Sequence, residues 1–322
     1  MQSIISRATT LCARSACGLF LALISCATTD PRVSFEGQPG KLVIRIDDKP
    51  MATYVYEDEK TPRPYFAHVR SPSGIQVTRN HPPRPDDFQD HAKYHPGLWM
   101  ALGDLNGHDN WRLHARVDGG DFAERPTGGI GRGTFTVRNR YLTTDGKETI
   151  CTETCRYTLL TRPLGYLLLW DSTFISQEGD FYFGDEMDES CLSVRVATPI
   201  AVKSKFGGRM VNAEGGVNEK GVRERLSDWC DYSGTIEGKQ VGITLMSDPA
   251  NARRPWWHAR DYGFLGANPF RSHPERRENT RIVVPRGTPF RLRFGVLIHS
   301  GATASYDPQE AYEDFQQQLE PR

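Results

Sequence analysis

Three of the nine histidines in this chain, His81, His91 and His95, fall within fifteen residues of one another. Pro82, Pro83 and Pro85 interrupt the same stretch, and proline removes a backbone donor and fixes φ, so regular structure is excluded there. The segment from Tyr65 to Trp111 therefore reads as a long irregular connection. Such loops in folded domains are commonly binding loops or lids. An imidazole titrates near neutrality and, when neutral, ligates metals. His91 and His95 are thus candidates for acid–base chemistry, and also for holding a divalent metal ion that would polarise a carbonyl or hydroxyl. The competing reading is of surface histidines beside prolines.

A second constellation lies far along the chain, in Trp256-Trp-His-Ala-Arg-Asp-Tyr262. Trp256 and Trp257 offer aromatic faces of the kind that stack on apolar sugar faces, and His258 a third acid–base group. Arg260 offers bonds to hydroxyls. On a strand, His258, Arg260 and Tyr262 share one face and can converge on one ligand. Asn268, slightly further on, is a candidate for holding substrate or local geometry. Glu214 and Asp231 are the carboxylate candidates, since glycoside chemistry by two carboxylates needs them about 5 Å or about 6.5–9.5 Å apart. The acidic run 185–189 lacks calcium-loop spacing and reads as a solvated turn. Asp104, Asn106 and Asp109 read as turn formers. No nucleotide-binding glycine loop, Gly-x-Ser-x-Gly elbow or His-Glu-x-x-His helix is present.

The elements that must position these groups alternate with period two. Strands are expected at 41–47, 52–56, 133–138, 149–157, 166–174, 191–196, 240–246 and 290–298. Asp145-Gly146, Glu237-Gly238 and Arg286-Gly287 mark turns between them. One helix stands out at the C-terminus, capped by Asp307, with Pro308 first and Tyr312, Phe315 and Leu319 on one face. No βαβ alternation appears. The fold class is all-β: a large antiparallel β-sandwich, of which a galactose-mutarotase-like supersandwich is one form, with one C-terminal helix.

The first segment is an address. Arg7 and Arg14 precede a short apolar run ending in Leu23-Ile-Ser-Cys26, which has the form of a lipobox with Cys26 as the acylated residue. Residues 1–26 are expected to be a signal peptide and residues 27–322 a single exported domain, in the periplasm or on the cell envelope. Contact with membrane would be through the lipid anchor alone, since no later apolar run approaches the 20 or so residues of a span. Lysine plus arginine number 40, as do aspartate plus glutamate. That balance gives no reason to expect nucleic acid as partner. Cys151, Cys155, Cys191 and Cys230 allow three full pairings. Cys151 and Cys155 lie about 13 Å apart on a strand, too far to pair with each other, and buried free thiols are expected.

Several segments together resemble the bacterial PmoA-like family, a domain of unknown function often labelled methane oxygenase PmoA. They are Asp90-His91, His95-Pro-Gly-Leu-Trp99, Gly103-Asp-Leu-Asn-Gly107, Arg209-Met-Val-Asn-Ala-Glu-Gly215 and Trp229-Cys-Asp-Tyr-Ser-Gly234. The run from Trp256 to Phe270 is the most specific. The likeness spans about residues 40 to 300, with Tyr94 standing where many members carry a second histidine. It implies association with saccharide-degrading systems. The oxygenase label fails on hydropathy, because a membrane-embedded subunit needs several long apolar spans.

The expected function is that of an exported carbohydrate-acting enzyme (hydrolase, lyase or sugar-modifying) working by histidine and carboxylate acid–base chemistry on a carbohydrate substrate. The alternative is a non-catalytic glycan-binding lipoprotein resting on the tryptophans. The address makes a prediction of its own. Cys26→Ser, expressed in a bacterial host, should lose radiolabelled-lipid incorporation and leave the membrane fraction; unchanged labelling would refute the lipobox.

Overall fold

The computed structural model describes residues 30–163, 165–184, 190–271, 281–301 and 306–319. The leader with Cys26 and the acidic run 185–189 lie outside the described residues. In chain order the first strands are β1 (Val33–Gln38), β2 (Lys41–Ile46), β3 (Lys49–Val55), β4 (Tyr65–Ala67), β5 (Leu98–Leu102) and β6 (Val117–Gly128). They are followed by β7 (Arg132–Leu142), β8 (Thr149–Arg162), β9 (Gly165–Ile175), β10 (Phe181–Phe183), β11 (Ser190–Arg195) and β12 (Arg209–Asn212). A short helix α1 (Asn218–Val222) precedes β13 (Trp229–Ile236), β14 (Lys239–Ser247), β15 (Trp256–Arg260) and β16 (Phe264–Asn268). The chain then runs through β17 (Ile282–Val284), β18 (Phe290–Ser300) and helix α2 (Pro308–Gln317). All the alternating segments are strands, and the architecture is the expected all-β one. Beyond the C-terminal helix the described residues add only the five-residue α1 and one 3-10 turn at Thr198–Ile200.

Two eight-stranded antiparallel sheets face one another. The first has the order β1-β2-β3-β4-β5-β11-β16-β15 and the second β12-β13-β14-β18-β9-β8-β7-β6. Alternation decides which side chains meet between them. Leu98, Met100, Leu192, Val194 and Leu265 point inward from the first sheet, and Val137, Tyr157, Leu168, Val296 and Ile243 from the second, into one continuous core. The core also takes in Glu153, whose carboxylate accepts from Asn139 Nδ2 (2.8 Å) and Tyr141 Oη (3.2 Å). Burial pushes this carboxyl up from its ordinary range. The four cysteines are buried free thiols, with Cys151 and Cys155 both facing the core from β8.

Each sheet has an outer face, and something different covers each. On the second sheet α2 lies across β13, β14 and β18, packing Tyr312 and Phe315 onto Trp229, Met246 and Leu297. Asp307 accepts from Gln309 N (2.8 Å) and Pro308 opens the helix, as its sequence signals. The helix comes so near the sheet that a Cβ on Gly295 would stand 2.6 Å from the Phe315 ring, which is why a side chain is missing there. On the first sheet only the short α1 touches the edge strand β15 among the described residues, and the proline-rich loop folds back over the rest of the face. Phe315→Ala should destabilise the protein by roughly 3–5 kcal/mol, the usual cost of removing a buried phenylalanine. Urea denaturation would register this as a lower midpoint, and an unchanged midpoint would mean that α2 is not part of the cooperative fold.

Candidate functional site

Three buried arginines hold the loop on the first sheet. Arg79 Nη1 donates to the carbonyls of Phe88 (2.8 Å) and Asp90 (2.7 Å), and its Nη2 to those of His91 (3.4 Å) and His95 (3.3 Å). Arg63 donates to the carbonyls of Asn110, Trp111 and Tyr94 at 2.7, 2.6 and 2.5 Å. Arg195 ends β11 with its side chain 0 % exposed and forks onto the Asp90 carboxylate at 2.7 and 2.8 Å. An irregular loop leaves carbonyls with no ladder partner, and guanidinium groups carry five fixed donors to meet them. Burial draws Arg63 down to about 9 and Arg79 to about 10, both still cationic at neutral pH. The loop rejoins the sheet at Gly97, where φ is 133° and a Cβ would meet the Phe66 carbonyl at 2.3 Å, so glycine is required.

Within that frame, residues 91–95 make a single turn closed by His95 N–H to the His91 carbonyl (3.1 Å). Positions four apart on such a turn lie one above the other. The two imidazoles accordingly stack at 4.9 Å with planes 9° apart. The turn explains what loop character alone did not reveal, that this pair acts as one unit. His91 is the outer member, 48 % exposed, and its Nδ1–H donates to Asp90 at 3.1 Å. Its ring also stacks on Tyr262 (5.4 Å), whose other neighbour is the Arg195 guanidinium, 4.4 Å from the ring centre. Burial alone would raise the Asp90 carboxyl, but the bonds from Arg195 and His91 outweigh it and bring it to about 2.

His95 is the inner member, buried against Trp99 (5.2 Å) and Phe264 (4.8 Å). Arg195 Nη1 approaches its Nδ1 at 3.5 Å, which makes that nitrogen the acceptor of the ring. Desolvation, then the positive field of Arg195, His91, Arg79 and Arg63, holds His95 well below the ordinary histidine range. It is a neutral imidazole. His258 meets the same Phe264 ring edge-on at 4.7 Å, so His95 and His258 lie within about 10 Å of each other. His81 is also on this face, hydrogen-bonded to Thr61 Oγ1 (3.0 Å) and lowered to about 4 by burial.

The other expected residues separate into those on this face and those elsewhere. Trp256, His258 and Arg260 point outward from β15, and Tyr262 follows in the turn on the same side. Arg260 pairs with Glu219 (3.4 Å), whose second oxygen accepts from Asp261 N (2.9 Å). Trp257 is a correction. It is 1 % exposed, points into the core and donates its Nε1–H to the Ser227 carbonyl (2.9 Å), so it is no platform for a ligand. Trp256 is also buried, under Arg271 at 5.4 Å. Asn268 holds geometry, its Oδ1 accepting from the backbone of Phe270 and Arg271. Glu214 pairs with Arg254, which also binds Asp228. Asp231 lies on the far side of the molecule, on the outer face of the second sheet, bonded to His299 (2.8 Å), Thr244 (2.8 Å) and Ser233 (2.7 Å). With two sheets about 10 Å apart between them, Asp231 and the histidine pair cannot share a substrate. The carboxylate that does meet the histidines is Asp90, beside His91 in sequence. Arg195 carried its own signal, an arginine on the alternating strand 191–196.

The expected ion between His91 and His95 does not suit this geometry. A ring nitrogen donates its lone pair in the plane of its ring, and two stacked parallel planes do not converge on one ion. His91 Nδ1 is moreover engaged by Asp90. Among the described residues no group of three or more histidine, cysteine, aspartate or glutamate side chains is placed to hold a metal.

Comparison with known proteins bears on the family. The profile of a family of unknown function, DUF6807, matches residues 41–313. This overturns the expected PmoA-like membership, of which nothing is found. The segments that suggested it are short runs of Gly, Pro, Asn, His and Trp, whose turn and packing chemistry recurs in unrelated chains. No curated protein matches the chain. Among solved structures, a galactose mutarotase related enzyme from Lactobacillus acidophilus is similar at 9% identity and a TM-score of 0.37, over 84% of this chain and 98% of its own. A likeness of that size carries neither fold nor activity across.

The buried imidazoles give stability a definite pH dependence. In the unfolded chain histidine takes a proton near pH 6.5, whereas His81 does so only near 4 and His95 well below 6.5 in the folded protein. As pH falls below 6.5 the unfolded state binds these protons first, so stability declines toward pH 4. His95→Gln should remove close to one proton from that dependence, about 1.4 kcal/mol per pH unit. Urea midpoints measured from pH 7 to 4 would show it; an unaltered slope would mean that His95 titrates in the native state.

Proposed function

This chain belongs to DUF6807, a family of unknown function, and on that premise we propose that it is a carbohydrate-acting enzyme whose central step is proton transfer by His91. The observation that carries this reading is the Asp90–His91 pair. Asp90 is fixed by a buried arginine and accepts the Nδ1 proton of a half-exposed imidazole. A carboxylate in that position fixes the tautomer and stabilises the imidazolium once it forms. Nε2 of His91 is then the basic nitrogen presented to a substrate. It takes a proton from a sugar hydroxyl or carbon acid and, as imidazolium, returns one to the departing or ring oxygen. His95 and Tyr262 flank the ring and keep its plane, and neutral His95 adds no positive charge that would weaken the base.

The same geometry selects among carbohydrate reactions. Hydrolysis by paired carboxylates needs two acids facing one bond, and Glu214 and Asp231 are each engaged elsewhere, by Arg254 and by His299. A single oriented base suits a lyase or an isomerising or modifying activity better. The alternative, a glycan-binding module, loses support because Trp256 and Trp257 are buried instead of forming an open platform. Export and a lipid anchor at Cys26 complete the proposal: the enzyme would meet its substrate at the cell envelope.

Incubation with a panel of neutral and acidic oligosaccharides, followed by product analysis for chain cleavage, unsaturation and epimerisation, tests the reading. His91→Ala should lower kcat by about 10²–10⁴, the usual share of a general base, with little change in melting temperature because the ring is exposed. Turnover that survives His91→Ala, or a panel with no turnover at all, would sink it.

A further inference from the structure

The outer face of the second sheet holds a cavity of about 830 Å³, across the sandwich from the histidines. It runs over β6, β7, β8, β9 and β18 and is walled at one end by Gln317–Leu319 at the end of α2. Its floor is built in cross-strand rows. Thr136, Arg156, Asp171 and Arg293 stand opposite one another on β7, β8, β9 and β18, and Thr154, Thr173 and Arg291 form a parallel row on β8, β9 and β18. At about 4.8 Å per strand the first row spans some 14 Å.

The charges along these rows are unevenly matched. Arg291 takes both oxygens of Asp171, and Arg293 pairs with Asp248 at 2.6 Å. Arg132 and Arg156 are exposed and have no carboxylate partner within ion-pair distance among the described residues. They do not converge. Arg132 pairs with Leu160, four residues beyond Arg156 on β8, which separates the two arginines by about 13 Å along the strands. A compact anion such as a phosphate is held by donors forked onto one point. Two spaced cations, with Thr158 between them and the Thr154–Thr173 row beyond Arg156, fit an extended ligand with spaced negative charges and hydroxyls of its own.

We infer that this groove is a second binding site, for an acidic saccharide chain whose carboxylates pair with Arg132 and Arg156 and whose hydroxyls bond the threonine rows. The saccharide class rests on the carbohydrate reading above; the charge requirement rests on the groove alone. Because the groove and His91 lie on opposite outer faces, it retains a polymer without belonging to the reacting centre.

Isothermal titration of the full chain with an oligogalacturonate, its methyl ester and tripolyphosphate tests the inference. Binding of the oligogalacturonate is expected, at least tenfold weaker for the methyl ester and for the Arg132→Gln/Arg156→Gln double variant. His91→Ala should bind as the parent does, so loss of turnover and loss of binding remain separable. Both arginines are exposed, and an unchanged melting temperature would show that the double variant folds. Equal affinity for the methyl ester, undiminished binding by the folded double variant, tripolyphosphate binding as tightly as the saccharide, or no binding of the oligogalacturonate would each overturn the proposal.

Discussion

The ion pair between buried Arg195 and half-buried Asp90 is the constraint on which the histidine face depends. Placing a guanidinium with no exposed surface at the end of β11 is costly, and removing the acid would leave that buried charge unpaired. The pair is held because each member does several things at once. Arg195 reaches Asp90, His95 and the face of Tyr262, while Asp90 also receives His91. The loop therefore has a fixed register on the sheet. A shift of one residue would leave a buried cation facing no acid.

Arg63 and Arg79 apply the same logic to the backbone. A proline-broken segment cannot satisfy its carbonyls through a ladder, and water is excluded where it lies on Trp99 and Trp111. Guanidinium forks replace the missing strand. This makes the outer face of the first sheet different in kind from that of the second, where apolar packing by Phe315 and Tyr312 does the covering. One face is sealed by directional polar bonds and the other by buried area. The polar seal leaves His91, a titratable ring, at its rim.

The strands at 41–47, 166–174 and 290–298 were legible in the sequence because one side of each faces the core, and burial on one side imposes period two. β6 was not. It is an edge strand with mostly half-buried or exposed residues and three register shifts against β7, so its sequence shows no alternation to read. The histidine face was legible in part. His91, His95 and His258 do gather around one aromatic cluster, which their distance in sequence could only suggest. Trp257 misled because adjacent tryptophans on a strand face opposite ways, and the sequence does not say which of them turns inward. Asp231 misled for a related reason: outward-facing residues on two sheets look alike until the strand order is known.

That strand order has a consequence for how the chain folds. β18 lies in the middle of the second sheet, between β14 and β9, yet it is the last of the described strands in chain order. Until residues 290–300 arrive, β14 and β9 each present an open edge, and the sheet exists as two halves with nothing to join them. Central strands supplied late mean high contact order and slow closure. They also mean that intermediates expose unpaired strand edges of the kind that aggregate. A chain truncated anywhere before Ser300 is accordingly left with a split sheet, and this sheet cannot close until residues 290–300 are in place.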